Sequence, residues 1–207
     1  MNPEVTGAVL AGGTSSRFGS DKAAFAVAGK PLVSWVAEGL AHWCSEVIVV
    51  RAPGSAPWPF VLPAGARIVF DPVPHLGPLA GLARALEEAR GEWVLAAACD
   101  APLLPKTVIA RLSELRDGAD AVAGELDGRV QPFPAFYRRE PALQAFRAAL
   151  AGGERSVRGA LRSVRLRLLP EDELRRLDPQ LLTYRNANTP DAAAALEELL
   201  LRMSNRL

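Results

Sequence analysis

The amino-acid sequence predicts an α/β fold with a mostly parallel central sheet flanked by helices. Short apolar runs of strand length alternate along the chain with segments of helical periodicity, which is the pattern of a parallel α/β sheet. The chain has 207 residues, of which 49% are hydrophobic and 23% charged, as in an ordinary folded domain with a substantial core. Because no internal repeat or long linker interrupts it, we expect a single domain over residues 1–207.

The first half of the chain contains four predicted strands and two predicted helices. The strands are residues 5–10, 46–50, 67–70 and 92–99. The fourth is apolar on both faces, so we expect it at the centre of the sheet. One helix follows Pro31, with apolar residues at helical spacing from Leu32 to Leu40, and the other covers residues 78–89.

The second half is predicted to contain shorter elements. Helical patterns cover residues 107–115, 141–150 and 156–161, and short strands are expected at 120–123, 165–168 and 181–184. Residues 131–137 alternate but contain Pro132 and Pro134, which predicts an edge strand or an extended segment. Thr189 is a candidate N-cap for a closing helix that begins at Pro190.

Composition excludes several classes of protein. A formal net charge of +1 argues against a nucleic-acid or membrane-surface protein. The sequence has neither an 18-residue apolar run nor a signal-peptide pattern after Met1, so we expect no membrane and a cytoplasmic location. Cys44 and Cys99 lack the spacing of a zinc site or a disulfide framework and are expected to be buried, reduced thiols.

The most informative stretch is V-L-A-G-G-T-S-S-R-F-G-S-D-K at residues 9–22, directly after the first predicted strand. Glycines allow backbone N–H groups to approach phosphate oxygens, and Arg17 and Lys22 would offset their charge. The spacing matches neither G-x-x-x-x-G-K-[ST] nor G-x-G-x-x-G, which disfavours a P-loop NTPase and a dinucleotide dehydrogenase. The loop therefore predicts a polyphosphate site of another type.

A second motif, C-D-A-P-L-L-P at residues 99–105, ends the predicted central strand. Ligands of open α/β sheets bind at the carboxyl ends of strands. Mg²⁺ is commonly held there by one or two carboxylates together with substrate phosphates. Asp100 is therefore a candidate metal ligand, the alternative being a carboxylate that only caps the following turn.

Two further motifs have both structural and functional interpretations. Asp71 precedes L-G-P-L-A-G at residues 76–81, where the glycines suit either ligand approach or helix packing. N-A-N-T-P at residues 186–190 could form a turn and a helix cap, or present Asn186 and Asn188 to a ligand. Five arginines form a basic cluster that is either a solvated face or an anion site: Arg155, Arg158, Arg162, Arg165 and Arg167.

Residues 10–22 resemble the signature loop L-A-G-G-x-x-x-R-[MF]-G-x-D-K of nucleotidyltransferases of the molybdenum cofactor guanylyltransferase type. The similarity continues into G-K-P-L at residues 29–32, and the motifs at Asp71, Asp100 and 186–190 follow in the family's order. The resemblance spans nearly the whole chain. It implies a three-layer, Rossmann-like nucleotidyltransferase fold.

The resemblance also implies a reaction and a set of site residues. The reaction would transfer GMP from GTP to the terminal phosphate of molybdopterin, giving molybdopterin guanine dinucleotide and pyrophosphate. Mg²⁺ would be the cofactor, and molybdoenzyme-specific chaperones or other cofactor-biosynthesis proteins would be candidate partners. The implied catalytic residues are Arg17, Lys22 and Asp100, with Asp100 as the metal ligand; the implied GTP-binding residues are Leu10, Ala11, Gly12, Lys22, Asp71 and Asp100; Asn186 and Asn188 would lie near the pterin.

One departure from the family pattern concerns the base. Arg51 stands where the family often has an asparagine near the guanine. Gly12 and Gly13 favour guanine in the family pattern, but a molybdopterin cytidylyltransferase or another NTP transferase of this fold is the alternative. A catalytically silent nucleotide-binding regulator is a further alternative, against which the intact Arg17, Lys22 and Asp100 count.

Overall fold

The computed structural model describes residues 2–12, 21–71 and 77–204. Within them, seven strands form one mixed sheet and two short strands form a separate ribbon. In chain order the strands are β1 (Asn2–Leu10), β2 (Ala26–Val27), β3 (Lys30–Pro31), β4 (Cys44–Arg51), β5 (Ala66–Phe70), β6 (Trp93–Ala98), β7 (Ala121–Leu126), β8 (Arg129–Arg138) and β9 (Leu166–Leu169). The large sheet has the order β5-β4-β1-β6-β8-β7-β9, and β2 pairs with β3.

Helices cover both faces of the sheet and make a three-layer arrangement, as the sequence predicts. The described helices are α1 (Leu32–Ala41), α2 (Pro78–Glu88), α3 (Lys106–Glu114), α4 (Arg139–Ala151), α5 (Val157–Ala160), α6 (Glu171–Leu177) and α7 (Pro190–Ser204). One core cluster joins the sheet to α1, α3 and α6, and a second joins the opposite face to α2, α4 and α5. The helix α7 packs separately, against Val27 and Leu32.

The parallel part of the sheet consists of β5, β4, β1 and β6. The strand β1 pairs in parallel with both β4 and β6, and β4 pairs in parallel with β5. Leu10 is in register with Val50 on one side and with Ala98 on the other, so three strands end at the same level. Gly7 lets α1 lie close to β1, because a Cβ there would be 3.1 Å from Leu40 Cβ.

The segment around Pro132 and Pro134 is not an edge strand, contrary to the sequence prediction. It is part of β8, which lies between β6 and β7 and runs antiparallel to both. On β7, Ala123 pairs with Ala135, whereas the next residue, Gly124, pairs with Gln131. Residues 132–134 therefore bulge out of the ladder, where a proline removes no required N–H group.

The prediction of a strand at residues 181–184 is also wrong. Leu182–Tyr184 form a 3-10 turn that follows Leu181, which has a left-handed φ of 50°. The buried carboxylate of Asp178 accepts hydrogen bonds from Thr183 N at 2.8 Å and from Thr183 Oγ1 at 2.7 Å. Local side-chain hydrogen bonding of this kind competes with strand pairing.

The other predicted elements are present, with ends that shift by a few residues. The closing helix begins at Pro190, and Thr189 Oγ1 accepts a hydrogen bond from Ala192 N at 3.2 Å, as expected for an N-cap. The sequence prediction missed α6. In the part of the chain that the structure describes, no helix has the length and apolar character needed to cross a bilayer.

Candidate functional site

The carboxyl end of the parallel strands fixes the start of the glycine-rich loop. Ala11 N donates to Val50 O at 2.8 Å, and Cys99 N donates to Leu10 O at 3.2 Å. A Cβ on Gly12 would lie 3.4 Å from Ala52 N, so the backbone here runs tightly against the end of β4. Leu10, Ala11 and Gly12 are therefore held at the edge where ligands of α/β sheets bind. Arg17, in the segment 13–20, lies outside the described residues.

The far end of the loop re-enters the structure at Asp21 and Lys22. Asp21 caps a 3-10 turn, Lys22–Ala24, because its Oδ1 accepts a hydrogen bond from Ala23 N at 3.1 Å. Ala23 is buried in the core cluster beneath α1. The backbone of Lys22 is thereby fixed by a cap on one side and by a core residue on the other.

Three sequence motifs converge on the ammonium group of Lys22. Its Nζ lies 2.6 Å from Asp100 Oδ2 and also donates to Asn188 Oδ1. The side chains of Lys22 and Asp100 are only 14% and 23% exposed. Asp100 and Asn188 follow Lys22 by 78 and 166 residues, so the fold, not chain proximity, makes this cluster.

The C-terminal motif is attached to the turn that carries Asp100. Ala187 N donates to Asp100 O at 2.9 Å, and the Ala187 side chain is fully buried against α7. Asn186 and Asn188 flank it and are both exposed. The sequence interpretation separated these asparagines from the nucleotide loop; the structure shows that the two parts of the site meet at Lys22.

Asp71 lies at the end of β5, beside the end of β4. Its backbone N donates to Arg51 O at 2.9 Å, and the residue is half-buried. After the segment 72–76, which lies outside the described residues, Gly77 adopts φ 78° and α2 begins at Pro78. Asp71 therefore reaches the same sheet edge as the start of the glycine-rich loop.

Arg51, noted in the sequence only as a departure from the family pattern, makes contacts beside the site that the sequence analysis missed. It is 3% exposed, and its guanidinium carbon lies 3.9 Å from the centre of the Trp58 ring. Its Nη2 donates to Asp21 Oδ2 at 3.1 Å, and Trp58 Nε1 donates to the same oxygen at 2.7 Å. A tryptophan in the proline-rich loop just after Arg51 is the signal in the sequence that could have suggested this contact.

The residues present fit a magnesium ion that arrives with a nucleotide. Among the described residues, no group of three or more histidine, cysteine, aspartate or glutamate side chains is placed to hold a metal. Asp100 supplies one partly exposed carboxylate at the sheet edge, whose Oδ2 pairs with Lys22. Because Mg²⁺ is usually bound by one or two carboxylates plus substrate phosphates, a single strand-end carboxylate is sufficient for that type of site.

Three arginines of the basic cluster, Arg155, Arg158 and Arg165, are engaged with neighbouring parts of the chain. Arg165 pairs with Asp120 at 2.7 Å, and the hydrogen bonds from Arg165 lower the pKa of that carboxyl group. Arg158 Nε donates to Val130 O at 2.6 Å, and Arg155 donates to Leu150 O at 3.2 Å. These three side chains therefore form an ion pair or hydrogen bonds to carbonyl groups within the fold.

Cys44 is buried, as predicted, whereas Cys99 is partly buried, and both are free thiols. Burial raises the pKa of both Cys44 and Cys99 to about 12. The negative charge of Asp100 adds to the effect at Cys99, and Lys22 opposes it. Both groups are protonated at neutral pH, so neither is a nucleophile there.

Comparison with known proteins places this geometry in a family. Residues 7–166 match the model of the MobA-like NTP transferase domain. A probable molybdenum cofactor guanylyltransferase from Trichormus variabilis is 35% identical, with 93% of this chain and 90% of the relative covered. The crystal structure of molybdopterin-guanine dinucleotide biosynthesis protein A from Archaeoglobus fulgidus is 26% identical, with a TM-score of 0.77 over 95% of this chain and 99% of that one.

A more distant structure supports the fold alone. The 2-C-methyl-D-erythritol 4-phosphate cytidylyltransferase from Thermus thermophilus has a TM-score of 0.72 at 22% identity, covering 96% of this chain and 99% of its own. The family match extends over most of the chain and includes the carboxyl end of β1, Lys22 and Asp100. The chain therefore belongs to the MobA-like NTP transferase family and is a nucleotidyltransferase.

Proposed function

We propose that this enzyme transfers GMP from GTP to the terminal phosphate of molybdopterin, producing molybdopterin guanine dinucleotide and pyrophosphate. The observation that carries the proposal is the meeting of Lys22, Asp100 and Asn188 at the carboxyl edge of the sheet. One cluster thereby joins the glycine-rich loop, a strand-end carboxylate and the C-terminal asparagine motif. Relatives at 30–37% identity that bear the guanylyltransferase name support the choice of substrates.

The reaction needs positioning and charge stabilisation more than a protein nucleophile. An oxygen of the pterin phosphate attacks the α-phosphorus of GTP, a new P–O bond forms, and the bond to the β-phosphate oxygen breaks as pyrophosphate leaves. The attacking phosphate is already an anion, so no side chain has to remove a proton from it. Catalysis of this kind depends on orienting the two phosphates and offsetting their charge.

Lys22 is suited to the charge developing on the leaving group. In the structure its ammonium is held by Asp100 and Asn188 within a partly buried cluster. Asp100 would hold Mg²⁺, which when bound polarises phosphate oxygens and neutralises their charge. We propose that Lys22 then exchanges the carboxylate of Asp100 for phosphate oxygens. Arg17 would act beside it, an assignment that rests on the signature loop alone.

The asparagines would contact the second substrate. Asn186 and Asn188 are neutral and exposed, and amide groups can hydrogen-bond a heterocycle in both directions. Asn188 touches Lys22, which would place the pterin beside the phosphates that it attacks. Ala187 anchors the pair in the core next to Asp100, so their distance from the metal ligand is set by the fold.

Guanine is favoured over cytosine by the names of the relatives and by the double glycine at residues 12–13, which follows the guanine pattern of the family. The described start of this loop, Leu10 to Gly12, lies at the ligand-binding edge of the sheet, against the ends of β4 and β6. A molybdopterin cytidylyltransferase remains the second candidate, since Arg51 occupies the place of the family's usual asparagine.

The test incubates the protein with molybdopterin, Mg²⁺ and each of the four NTPs in turn, and measures pyrophosphate. We expect release with GTP well above that with CTP, ATP or UTP, because unpaired groups in a hydrogen-bonding pocket reject the wrong base. Preference for CTP would replace the assignment with the cytidylyltransferase. GTP binding in calorimetry without release from any nucleotide would indicate the silent regulator. Asp100→Ala is the matched control and should abolish Mg²⁺-dependent release.

A further inference from the structure

The end of β4 is tied to both described ends of the glycine-rich loop and to Asp71. Val50 O accepts a hydrogen bond from Ala11 N at the start of the glycine-rich loop. Arg51 O accepts one from Asp71 N, and the Arg51 side chain binds Asp21 at the far end of the loop. Both ends of the loop are thus fastened to two consecutive residues.

We propose that Arg51 is a positioning residue for Lys22 and that it acts through Asp21. The two oxygens of the Asp21 carboxylate accept hydrogen bonds from different groups. Oδ2 receives Arg51 Nη2 and Trp58 Nε1, whereas Oδ1 receives Ala23 N and caps the turn from which Lys22 projects. With Oδ2 held by two donors, Asp21 is oriented so that Oδ1 caps the turn, which positions the backbone from which the Lys22 side chain projects.

The surroundings of Arg51 suit a residue that holds the Asp21 carboxylate in place. We call this contact between Arg51 and Asp21 the clamp. A buried ion pair is a weak source of stability, because desolvation offsets most of the attraction. Here the 3% exposed guanidinium is paired with a carboxylate that is 40% exposed, and its Nε has no hydrogen-bond partner among the described residues. The flat group is instead oriented by the Trp58 ring and by Ala56 O, which accepts from Nη2 at 2.9 Å. Such an arrangement favours geometric precision over stability.

The inference rests on the proposed function, and its kinetic test uses Arg51→Met in the full chain with GTP and molybdopterin. We expect kcat/KM for GTP to fall at least about tenfold, the size of a lost charged hydrogen bond. The fall should lie mainly in kcat, because the contact of Lys22 with the phosphates strengthens in the transition state. Trp58→Phe keeps an aromatic ring but loses the N–H donor to Asp21, and should show a smaller loss in the same direction.

A double-mutant cycle separates positioning from a general structural effect. If Arg51 acts through Lys22, Arg51→Met should change the rate of the Lys22→Ala enzyme very little. An equal factor in both backgrounds would overturn the proposal. Arg67→Met is the control, since Arg67 is an arginine on the neighbouring strand β5 that is 34% exposed and paired with a carboxylate, Glu88 at 3.1 Å, away from the site. It should leave kcat/KM near the parent value.

A readout independent of catalysis keeps this inference separate from the reaction itself. Trypsin cleavage between Lys22 and Ala23, followed by mass spectrometry, reports how firmly the turn is held. Arg51→Met should speed that cleavage relative to both the parent and Arg67→Met at matched thermal stability. Equal cleavage rates in the two variants would contradict the clamp. Failure of the parent to release pyrophosphate would instead contradict the proposed function and leave the proteolysis result to judge the clamp.

Discussion

The two halves of the large sheet differ in what they carry: one presents the site residues and the other the large buried aromatic side chains. The parallel half, β5, β4, β1 and β6, presents Gly12, Asp71 and Asp100 at its carboxyl edge. The mixed half, β8, β7 and β9, together with α4, contains the largest fully buried aromatic side chains, namely Phe136, Tyr137 and Phe146. The described site therefore belongs to the parallel half, and the mixed half supplies packing.

Strand direction explains this division. Parallel neighbours end at the same edge, so the loops that follow β1, β4, β5 and β6 emerge side by side and can be tied to one another by backbone hydrogen bonds. The strand β8 runs the other way and its end leaves that edge. The C-terminal motif is attached to the edge by the hydrogen bond from Ala187 N to Asp100 O and by the contact of Asn188 with Lys22. Substitutions at the site should therefore change activity, and substitutions in the core of the mixed half should change stability.

The largest expected effect is on stability in the mixed half. Phe146 is fully buried and its ring lies 5.8 Å from that of Tyr137 in an edge-to-face arrangement. Phe146→Ala should lower the free energy of unfolding by about 3–5 kcal/mol, through lost burial and a residual cavity. Urea denaturation measures this, with the exposed Leu201→Ala as control. The folded fraction should keep the parent kcat/KM; a large loss of activity per folded molecule would place part of the site in the mixed half.

The next effect is on catalysis in the parallel half. Lys22→Ala removes a charge contact that strengthens in the transition state and should raise the barrier by about 2–4 kcal/mol. Its melting temperature should stay close to that of the parent, because Lys22 projects from a turn held by Asp21 and Ala23. Single-turnover pyrophosphate release and thermal melts measure the two quantities. A destabilised variant with normal transfer would show that the ion pair with Asp100 is structural.

A smaller effect is expected at the link between the C-terminal motif and the loop. Asn188→Ala removes an acceptor of the Lys22 ammonium and should slow transfer by about 1 kcal/mol while leaving GTP affinity nearly unchanged. Calorimetry with GTP and single-turnover transfer separate the two. If GTP affinity falls as far as in Lys22→Ala, Asn188 belongs to the nucleotide pocket and not to the pterin side.

The smallest expected effect is a pH-dependent change in stability at the ion pair beside the β7–β9 pairing. Hydrogen bonds from Arg165 hold the pKa of Asp120 below its usual value, so this carboxylate stabilises the fold above the unfolded pKa of about 4 and loses that contribution as pH falls through the lower folded pKa. Asp120→Asn should cost no more than about 1 kcal/mol at neutral pH, since Arg165 is mostly exposed. Denaturation at pH 7 and pH 3 checks whether the difference in unfolding free energy between the parent and Asp120→Asn is smaller at pH 3. Asp172→Asn, from an exposed pair with Arg176, should show no difference at either pH.

The same division governs what could be predicted from sequence. In the parallel half, short apolar runs predicted β1, β4, β5 and β6, of which β6 was apolar on both faces, and the motifs that follow these strands predicted the site edge. In the mixed half, the prolines of β8 predicted an edge strand, because a bulge opposite Gly124 depends on the partner strand and leaves no local signal. The apolar run at 181–184 predicted a strand for a similar reason, since its conformation is decided by Asp178.

The site shows the same limit. Lys22, Asp71, Asp100 and Asn188 were identified as separate motifs, but the contact between Lys22 and Asn188 spans 166 residues and follows only from the fold. The roles of these residues in binding and catalysis stay predictions.

The most direct test of guanylyl transfer follows the phosphate groups of labelled GTP into the products. The protein is incubated with molybdopterin, Mg²⁺ and GTP labelled at either the α- or the γ-phosphate, and the pterin product and pyrophosphate are separated. Transfer of GMP requires the α-label to appear in the pterin product and the γ-label in pyrophosphate, with neither transfer in Asp100→Ala. Appearance of the γ-label in the pterin product, or of both labels in free nucleotide only, would contradict guanylyl transfer by this enzyme.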